Sequence, residues 1–307
     1  MVRLEMKCDI CGKPFDKVTD RNLHIFRSHR MKIVDFVKKY EPRFDLFTKE
    51  PITYKNYEDY SHRFFNNRAN LVKYYKTLSK DKVNEVTTNI LRERREQKGI
   101  TVAPSTVCAR LAILPSPLLV NTCGGDYNKA AVNAGLKPRF DYDVFIEYGE
   151  GELDILQDTR EQNPLGLLYP VIRTSLDFGD YVCKQNPKVF IERKSLVDLA
   201  GTLSAGFERF CREMERAKEM DATIIVLVEE DLNNLLSINY LPHTKKVKAS
   251  PDFLGHRIRD IVNRFDNVQF LFVGGRVEAA RILDRIFRIK NNINKIDFQM
   301  MYDFKKL

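Results

Sequence analysis

The chain has 307 residues, 43% hydrophobic and 11% aromatic, which is enough apolar material for a globular core. Its formal net charge of +9 favours an anionic partner, and DNA is the partner we expect. There is no apolar run of roughly eighteen residues and no apolar secretory segment at the N-terminus, so we expect no contact with a membrane. The expected location is intracellular, in the cytoplasm of a bacterial or phage-infected cell, with a nucleus as the alternative. No small-molecule cofactor is expected.

Six cysteines do not indicate a disulfide framework in an intracellular chain of this length. Only Cys8 and Cys11 are closely spaced. The other four are expected to be buried free thiols, which pack as small hydrophobic side chains: Cys108, Cys123, Cys183 and Cys211.

The N-terminal region has the ligand spacing of a zinc site, Cys8-x2-Cys11-x12-His24-x4-His29. Two thiolates on a turn and two imidazoles about one helical turn apart can close tetrahedrally around Zn²⁺. The pattern resembles Cys2His2 zinc fingers of prokaryotic and phage type, so residues 1–40 are predicted to form a finger with a helical extension. Whether such a finger binds DNA or protein is left open by its sequence.

One position departs from the finger pattern. Phe15 stands where fingers carry an aromatic core residue, but Arg21 stands where they usually carry a core leucine. Leu23 or Val18 is therefore expected to fill that part of the core.

Residues 41–84 mix tyrosine and phenylalanine with arginine and lysine. Such a mixture can stack on bases and hold phosphates. Helical spacing explains it without any ligand, and we predict a helical linker whose aromatic residues face a core. The residues expected in that core are Tyr57, Tyr60, Phe64, Leu71, Tyr74 and Tyr75.

Residues 85–140 are predicted to form a small helical module. One helix should end at Gly99, and Ser105 or Thr106 should cap the next. The stretch GGDYNKAAVNAGLKPRF, from Gly124 to Phe140, resembles a helical DNA-binding repeat found with homing endonucleases, although Tyr127 stands where that repeat has tryptophan. The alternative is a helical spacer that binds nothing.

From Tyr142 the pattern changes to alternating strands and helices, which predicts an α/β domain over residues 141–290 and a tail over 291–307. A strand-like stretch beginning at Tyr142 should deliver Asp158 at its carboxyl end. The apolar run Thr223–Val228 predicts a central strand buried on both faces. The loop near residues 237–251 carries His243, to which we assign no role, and three lysines that could contact phosphates: Lys245, Lys246 and Lys248.

The stretch Phe178–Leu199 predicts a hairpin with catalytic chemistry. Strands over residues 180–184 and 188–193, joined by a loop at Gln185-Asn186-Pro187, would place Asp180 opposite Glu192. Strand alternation then puts Lys194 on the same face as Glu192. Carboxylate oxygens at this separation suit Mg²⁺ or Mn²⁺, and a lysine beside the ion can handle an attacking water.

These residues belong to a longer signature that closely resembles the XPF-type (xeroderma pigmentosum group F) structure-specific endonuclease family, over about residues 152–288. The resemblance implies a restriction-endonuclease-like fold, in which helices flank a central mixed sheet. It implies metal-dependent cleavage of branched DNA, such as flaps or forks, in repair or recombination. The residues that carry it are Gly179, Asp180, Glu192, Arg193, Lys194, Asp198, Asp158, Arg160 and Glu161.

Within this signature, Asp180 and Glu192 are expected to bind Mg²⁺ or Mn²⁺, and Asp158 to complete or orient the site. Arg160 and Arg193 are candidates for phosphate clamps or for structural ion pairs. The supporting residues also include Glu161 and Asp198, and Asp198 is expected to cap the helix that begins after Ser195.

Family members commonly append a helix–hairpin–helix domain after the nuclease domain, and eighteen residues follow Ile289 here. The oligomeric state is therefore left open between a monomer, a homodimer and a complex with a partner subunit. An alternative function is a zinc-finger DNA-binding protein with an inactive nuclease fold, and a zinc-stabilised protein-interaction module is a third.

Overall fold

A computed structural model of the chain describes residues 6–52, 63–237 and 249–307, and divides it into two compact units. The first unit is Met1–Ser79 with Ala112–Leu114, and the second is Lys80–Leu111 with Pro115–Leu307. No helix among the described residues is long and apolar enough to cross a membrane. Some residues discussed above lie outside the described residues: Tyr57, Tyr60, His243, Lys245, Lys246 and Lys248.

The first unit begins with the finger. Strands β1 (Met6–Lys7) and β2 (Pro14–Phe15) pair antiparallel, and helix α1 (Val18–His29) follows them. Helix α2 (Ile33–Tyr40) is the predicted extension, and helix α3 (Arg68–Thr77) lies in the predicted linker. Within the linker, the expected burial is confirmed for Phe64, Leu71 and Tyr75, whereas Tyr74 is only partly buried.

The sequence offers Leu23 or Val18 for the finger core, and the side chain of Val18 is not among those that the structure describes. Leu23 does not enter the core, because its side chain is 46% exposed. Ile25 and Phe36 are fully buried instead. Arg21 is itself buried, where it forms an ion pair with Glu41 and stacks its guanidinium 5.5 Å from the centre of the Phe36 ring. A helix from the extension therefore compensates for the missing leucine.

The second unit opens with four helices, α4 (Lys80–Lys98), α5 (Thr106–Leu111), α6 (Pro117–Thr122) and α7 (Tyr127–Asn133). As predicted, α4 ends before Gly99, which has a left-handed φ of 64°. The Ser105 hydroxyl accepts a hydrogen bond from the Cys108 backbone N–H at 3.3 Å, as expected of a cap.

The segment Ala134-Gly135-Leu136 ends α7 as a Schellman motif. The Leu136 N–H donates to the Ala131 carbonyl and the Gly135 N–H to the Val132 carbonyl, both at 2.9 Å. Gly135 has a φ of 75°, and a Cβ there would lie 1.8 Å from the Arg95 guanidinium. In this structure the residues Ala134-Gly135-Leu136, which carry part of the resemblance to the homing-endonuclease repeat, end a helix and allow close packing. DNA binding by the repeat stays a prediction.

A six-stranded mixed sheet forms the centre of the second unit, with the strand order β4-β3-β5-β6-β7-β8. Strands β3 and β5 pair antiparallel, as do β5 and β6, and the other neighbours are parallel. The strands are β3 (Ile155–Asp158), β4 (Val171–Thr174), β5 (Tyr181–Cys183), β6 (Asn186–Lys194), β7 (Thr223–Val228) and β8 (Val268–Phe272).

Helices cover both faces of this sheet, so the predicted architecture, a central mixed sheet flanked by helices, is confirmed. On β7, Ile224 and Val226 enter one apolar core and Ile225 and Leu227 enter the other, which confirms burial on both faces. The helices are α8 (Leu196–Leu203), α9 (Phe207–Glu219), α10 (Leu232–Ser237), α11 (Pro251–Arg264), α12 (Arg276–Phe287) and α13 (Phe298–Asp303), with a 3-10 turn at Ile293–Lys295.

Two local predictions about strands were wrong. The strand-like stretch from Tyr142 becomes regular only at Ile155, because Gly149 and Gly151 interrupt it and glycine weakens strands. The loop predicted at Gln185-Asn186-Pro187 is shorter, because Cys183 pairs with Asn186 and β6 begins there. Pro187 is tolerated inside β6 because the β5–β6 register shifts at this end of the hairpin.

The helical module and the chain end both join the core of the second unit. Val107 and Cys108 of α5 are buried in the core that α8, α9 and α11 share. The Asp297 carboxylate, 2% exposed, accepts a hydrogen bond from the Thr106 N–H at 2.8 Å. The residues described from the sequence as a tail therefore carry an ordered helix, α13, whose Phe298 is fully buried.

The cysteines are free, as expected. Cys108, Cys183 and Cys211 are buried, whereas Cys123 is only partly so.

Candidate active site

The β5–β6 hairpin brings the predicted catalytic carboxylates together. Tyr181 pairs with Ile191, and the Asp180 N–H donates to the Ile191 carbonyl at 2.8 Å. Asp180 therefore lies across the hairpin from Ile191, the residue before Glu192, and Glu192 is close enough to act on the Asp180 carboxyl electrostatically. Gly179 makes the approach feasible, because a Cβ there would lie 2.8 Å from the Ile191 carbonyl oxygen and its φ is 60°.

Lys194 lies beside Glu192, as strand alternation predicts. Its Nζ forms an ion pair with the Glu192 Oε1, and the two side chains are only 18% and 13% exposed. Burial alone would lower the pKa of Lys194, but the attraction of Glu192 outweighs it and leaves that pKa above its ordinary value. The pairing with Glu192 thus favours the charged form of Lys194.

Asp180 is held in an unfavourable electrostatic environment. Burial, and then repulsion from Glu192, raise the pKa of the Asp180 carboxyl to about 7. The Arg193 backbone N–H donates to its Oδ2 at 2.7 Å, which only partly offsets the shift. Two interacting carboxylates with one neighbouring ammonium leave negative charge to be neutralised. Their hard oxygen atoms match what Mg²⁺ or Mn²⁺ prefers, so the donor set fits the expected ion.

The Arg193 side chain belongs to a buried ion-pair network. Its guanidinium donates to Glu161 at 3.1 and 3.3 Å and to Glu229 at 3.1 Å. Only 9% of the Arg193 side chain is exposed. Of the two alternatives given by the sequence, the ion pair is therefore the one seen for Arg193, and Glu161 is its partner.

Asp158 lies at the carboxyl end of β3, as predicted, but its carboxylate is already occupied. The Arg160 backbone N–H and Nε both donate to Oδ1 at 2.7 Å. The Leu176 N–H at 2.8 Å and the Arg160 Nη2 at 2.9 Å donate to Oδ2. These bonds, the one from the Arg160 side chain most of all, lower the pKa of Asp158 to about 2. Four donors on a side chain that is 1% exposed fit the orienting alternative for Asp158 rather than direct coordination of an ion.

Arg160 is thereby fixed at one end while most of its side chain remains in solvent. The side chain is 72% exposed, and its Nη2 also donates to the Leu176 carbonyl at 3.0 Å. An exposed guanidinium with a fixed orientation suits a phosphate contact.

Ser195 is the N-cap of helix α8, and Asp198 is its partner in a capping-box-like arrangement, as the sequence predicts. The Asp198 N–H donates to the Ser195 hydroxyl at 3.1 Å, and that hydroxyl donates to the Asp198 Oδ2 at 2.7 Å. The carboxylate is exposed and serves the helix N-terminus.

Glu213 is a charged neighbour of the site that the sequence does not reveal. Glu213 lies on α9, and its pKa is raised above the ordinary value. Burial is the main cause and repulsion from Glu192 the second, and the attraction of Lys194, Arg216 and Arg160 offsets only part of the shift. Position 213 lies outside the helical spacing of the buried apolar residues of α9. The sequence gives no other indication that Glu213 lies near the site. The stripe itself, from Phe207 to Ala217, is buried as predicted.

The four predicted zinc ligands meet in the first unit. Their ligand atoms all lie within 4.8 Å of one another. The Cys8 Sγ to His29 Nε2 distance is 3.5 Å, that from Cys11 Sγ to His24 Nε2 is 3.3 Å, and the two Nε2 atoms are 3.2 Å apart. Ligands bound tetrahedrally to Zn²⁺ at the usual bond lengths stand about 3.3–3.6 Å apart, so the cluster fits this ion. The Ser28 hydroxyl lies 3.1 Å from the His24 Nδ1, where it can fix the ring.

Comparison with known proteins agrees with the sequence prediction for the second unit. Residues 155–286, less than half of the chain, match the family model described as "ERCC4 domain". This confirms the predicted XPF-type nuclease domain over those residues. No curated protein matches the chain.

Two solved structures are similar to part of the chain. One is "XPF from Aeropyrum pernix, complex with DNA", with 20% identity, a TM-score of 0.36, and coverage of 45% of this chain and 64% of that one. The other is "XPF from Aeropyrum pernix", with 16% identity, a TM-score of 0.33, and coverage of 46% and 68%.

Proposed function

We propose that this chain is a metal-dependent DNA endonuclease whose active site is the β5–β6 hairpin. The observation that carries the proposal is the cluster of Asp180, Glu192 and Lys194 on the β5–β6 hairpin, in which Glu192 acts electrostatically on Asp180 and pairs with Lys194, inside the segment that matches the ERCC4 domain. The basic net charge of +9 supports an anionic substrate.

Asp180 and Glu192 would hold Mg²⁺ or Mn²⁺, which when bound lowers the pKa of a water and neutralises charge that develops on the phosphate. Lys194, as a buried cation, would orient that water and stabilise the negative charge on the attacked phosphate. The negative charge of Glu213 also raises the pKa of Lys194, which favours its charged form.

The remaining signature residues would position this hairpin. Asp158 orients Arg160, and the exposed Arg160 guanidinium would contact a phosphate of the substrate. Arg193, with Glu161 and Glu229, would hold β6 against its neighbours so that Glu192 and Lys194 keep their places.

For the substrate, we propose DNA with a branch, such as a flap or fork, processed during repair or recombination. This preference rests on the resemblance to the XPF-type family. A homodimer or a partner subunit stays a prediction on the same basis, and light scattering from the purified chain measures it.

For the first unit, we propose one Zn²⁺ bound by Cys8, Cys11, His24 and His29. The ligand atoms all lie within 4.8 Å of one another, and the ion would hold the finger together around a small core.

The test is a cleavage assay on a panel of labelled duplex, flap, fork and junction DNA, with Mg²⁺, with Mn²⁺ and with neither. We expect cleavage next to the branch only when a divalent ion is present. Binding without cleavage on every substrate would instead support a zinc-finger DNA-binding protein with an inactive nuclease fold.

A further inference from the structure

The outer face of the finger helix carries apolar side chains in solvent. On α1, Phe26 is 58% exposed and Leu23 is 46% exposed, while Arg21 and Ile25 on the opposite side are buried. At about 100° per residue, Leu23, Phe26, Arg27 and Arg30 fall within one arc of the helix. This face has no packing role in the core that the described residues form.

Two arginines flank the apolar pair. Arg27 and Arg30 are both exposed, and within the described part of the chain neither guanidinium is paired with a carboxylate. The described residues 6–52 contain eleven lysines and arginines against seven aspartates and glutamates. The charge around the apolar pair therefore complements a polyanion.

The face is poorly suited to reading base edges. A finger helix that begins at Val18 would present Lys17, Asp20 and Leu23 at the three positions that usually contact bases. Leu23 has no hydrogen-bonding atoms and Asp20 can only accept, so Lys17 is the one residue of these three that can donate to a guanine.

We propose that this face of α1, Leu23 with Phe26 between Arg27 and Arg30, binds DNA at the point where a base-pair stack ends. The Phe26 ring and Leu23 would lie against the exposed face of the last base pair, and the two arginines would bind the flanking phosphates. Aromatic stacking tolerates any base, because every base has a planar face, and it requires that the base be unstacked. The proposal rests on the proposed function, since it supplies the finger's part in selecting branched DNA.

The test measures binding rather than cleavage, so its outcome is independent of the catalytic proposal. The full chain carrying Asp180→Asn is titrated against a labelled fork, and a relaxed covalently closed DNA circle, which has neither ends nor unpaired bases, serves as competitor. We expect Phe26→Ala to weaken fork binding about tenfold while leaving affinity for the circle unchanged. Phe26→Trp should restore fork binding and Phe26→Leu should not.

The arginines should act differently from the ring. Arg27→Gln and Arg30→Gln should each flatten the salt dependence of fork binding by about one unit of slope, whereas Phe26→Ala should leave that slope unchanged. The matched control is Phe44→Ala, which removes a ring that is 52% exposed elsewhere in the same unit. It should bind the fork like the parent protein.

Zinc content measured by mass spectrometry confirms that each variant retains its finger. The proposal is overturned if Phe26→Ala binds the fork as tightly as the parent protein, which would assign the face to a protein partner. It is overturned equally if Phe26→Ala loses the same factor of affinity for the fork and for the circle. The same holds if Phe44→Ala weakens fork binding as much as Phe26→Ala does.

Discussion

The Asp180 carboxyl lies within electrostatic reach of Glu192 on the β5–β6 hairpin, and burial, followed by repulsion from Glu192, raises the pKa of Asp180 to about 7. The hairpin thus holds two acids in an arrangement that is unfavourable for the metal-free protein. Such arrangements are characteristic of functional sites rather than of structural ones.

The first prediction follows from this pKa. A carboxyl whose pKa is raised in the folded state binds its proton more tightly there than in the unfolded chain, so its contribution to stability is present at low pH. That contribution is lost as the pH rises from about 4 to about 7. The metal-free Asp180→Asn variant should therefore melt at a higher temperature than the wild type at pH 8, and the difference should shrink at pH 5.

Adding Mg²⁺ provides the matching control for this prediction. At pH 8 the ion should raise the melting temperature of the wild type and have little effect on Asp180→Asn. If the variant melts below the wild type at pH 8 without metal, the two carboxylates do not repel each other in the way described.

The second prediction concerns the buried pair of Arg193 with Glu161. Removing one partner leaves an unpaired charge in the interior, so Arg193→Met should lower the free energy of unfolding by about 3–5 kcal/mol. Urea denaturation measures the loss. Arg281→Ala, which breaks an exposed pair with Glu278 on α12, should cost less than about 1 kcal/mol. Equal losses in the two variants would argue against a structural role for Arg193.

The third prediction concerns where the nuclease domain begins. The change of sequence pattern places its start near Asp141, but α5 contributes Val107 and Cys108 to the core. Arg110, with a side chain 3% exposed, also donates to Asp303 at 2.7 Å and to Asn233 at 2.6 Å. A fragment that starts at Lys80 should therefore unfold cooperatively and cut DNA.

The fragment that starts at Asp141 is the comparison. It lacks α5 and should aggregate or melt without a sharp transition, as followed by circular dichroism and calorimetry. A cooperative transition in this shorter fragment, with activity equal to that of the longer one, would show that residues 80–140 are dispensable for the fold.

Much of the active site was predictable because it depends on local geometry. Strand alternation places Lys194 beside Glu192, and the predicted hairpin brings Asp180 close to Glu192. The occupation of Asp158 by four donors was not predictable, because it depends on how the chain turns after β3 to bring the Leu176 N–H to the carboxylate. The ion pair of Arg193 with Glu229 joins β6 to the end of β7, and no spacing in the sequence encodes that contact.

The finger shows the same limit. The ligand spacing was sufficient to bring its four side chains together. The burial of Arg21 was not predictable, because it depends on contacts with Phe36 and Glu41 in the extension. The spacing of residues within the finger does not indicate contacts with a neighbouring helix.

The fourth prediction is that purified protein contains one zinc ion per chain. Binding of the ion stabilises the folded finger, because the unfolded chain has no preformed site for it. Chelation should therefore unfold the finger and leave the nuclease domain folded. Mass spectrometry should find the ion lost in Cys8→Ser with Cys11→Ser. The control is Cys123→Ser, which changes a cysteine outside the cluster and should retain the ion. Unchanged zinc in the double variant would refute the site.

The most direct measurement is the rate of Mg²⁺-dependent cleavage of a labelled fork by the wild type, Asp180→Asn and Glu192→Gln, each at saturating protein. The account predicts that both variants bind the fork as well as the wild type and cut it at least about 10²-fold more slowly, and that Lys194→Ala falls in the same range. Asp198→Asn, which alters only a helix cap, should retain cleavage. Wild-type cleavage rates in Asp180→Asn or Glu192→Gln would contradict the account, because the two carboxylates would then have no part in the chemistry.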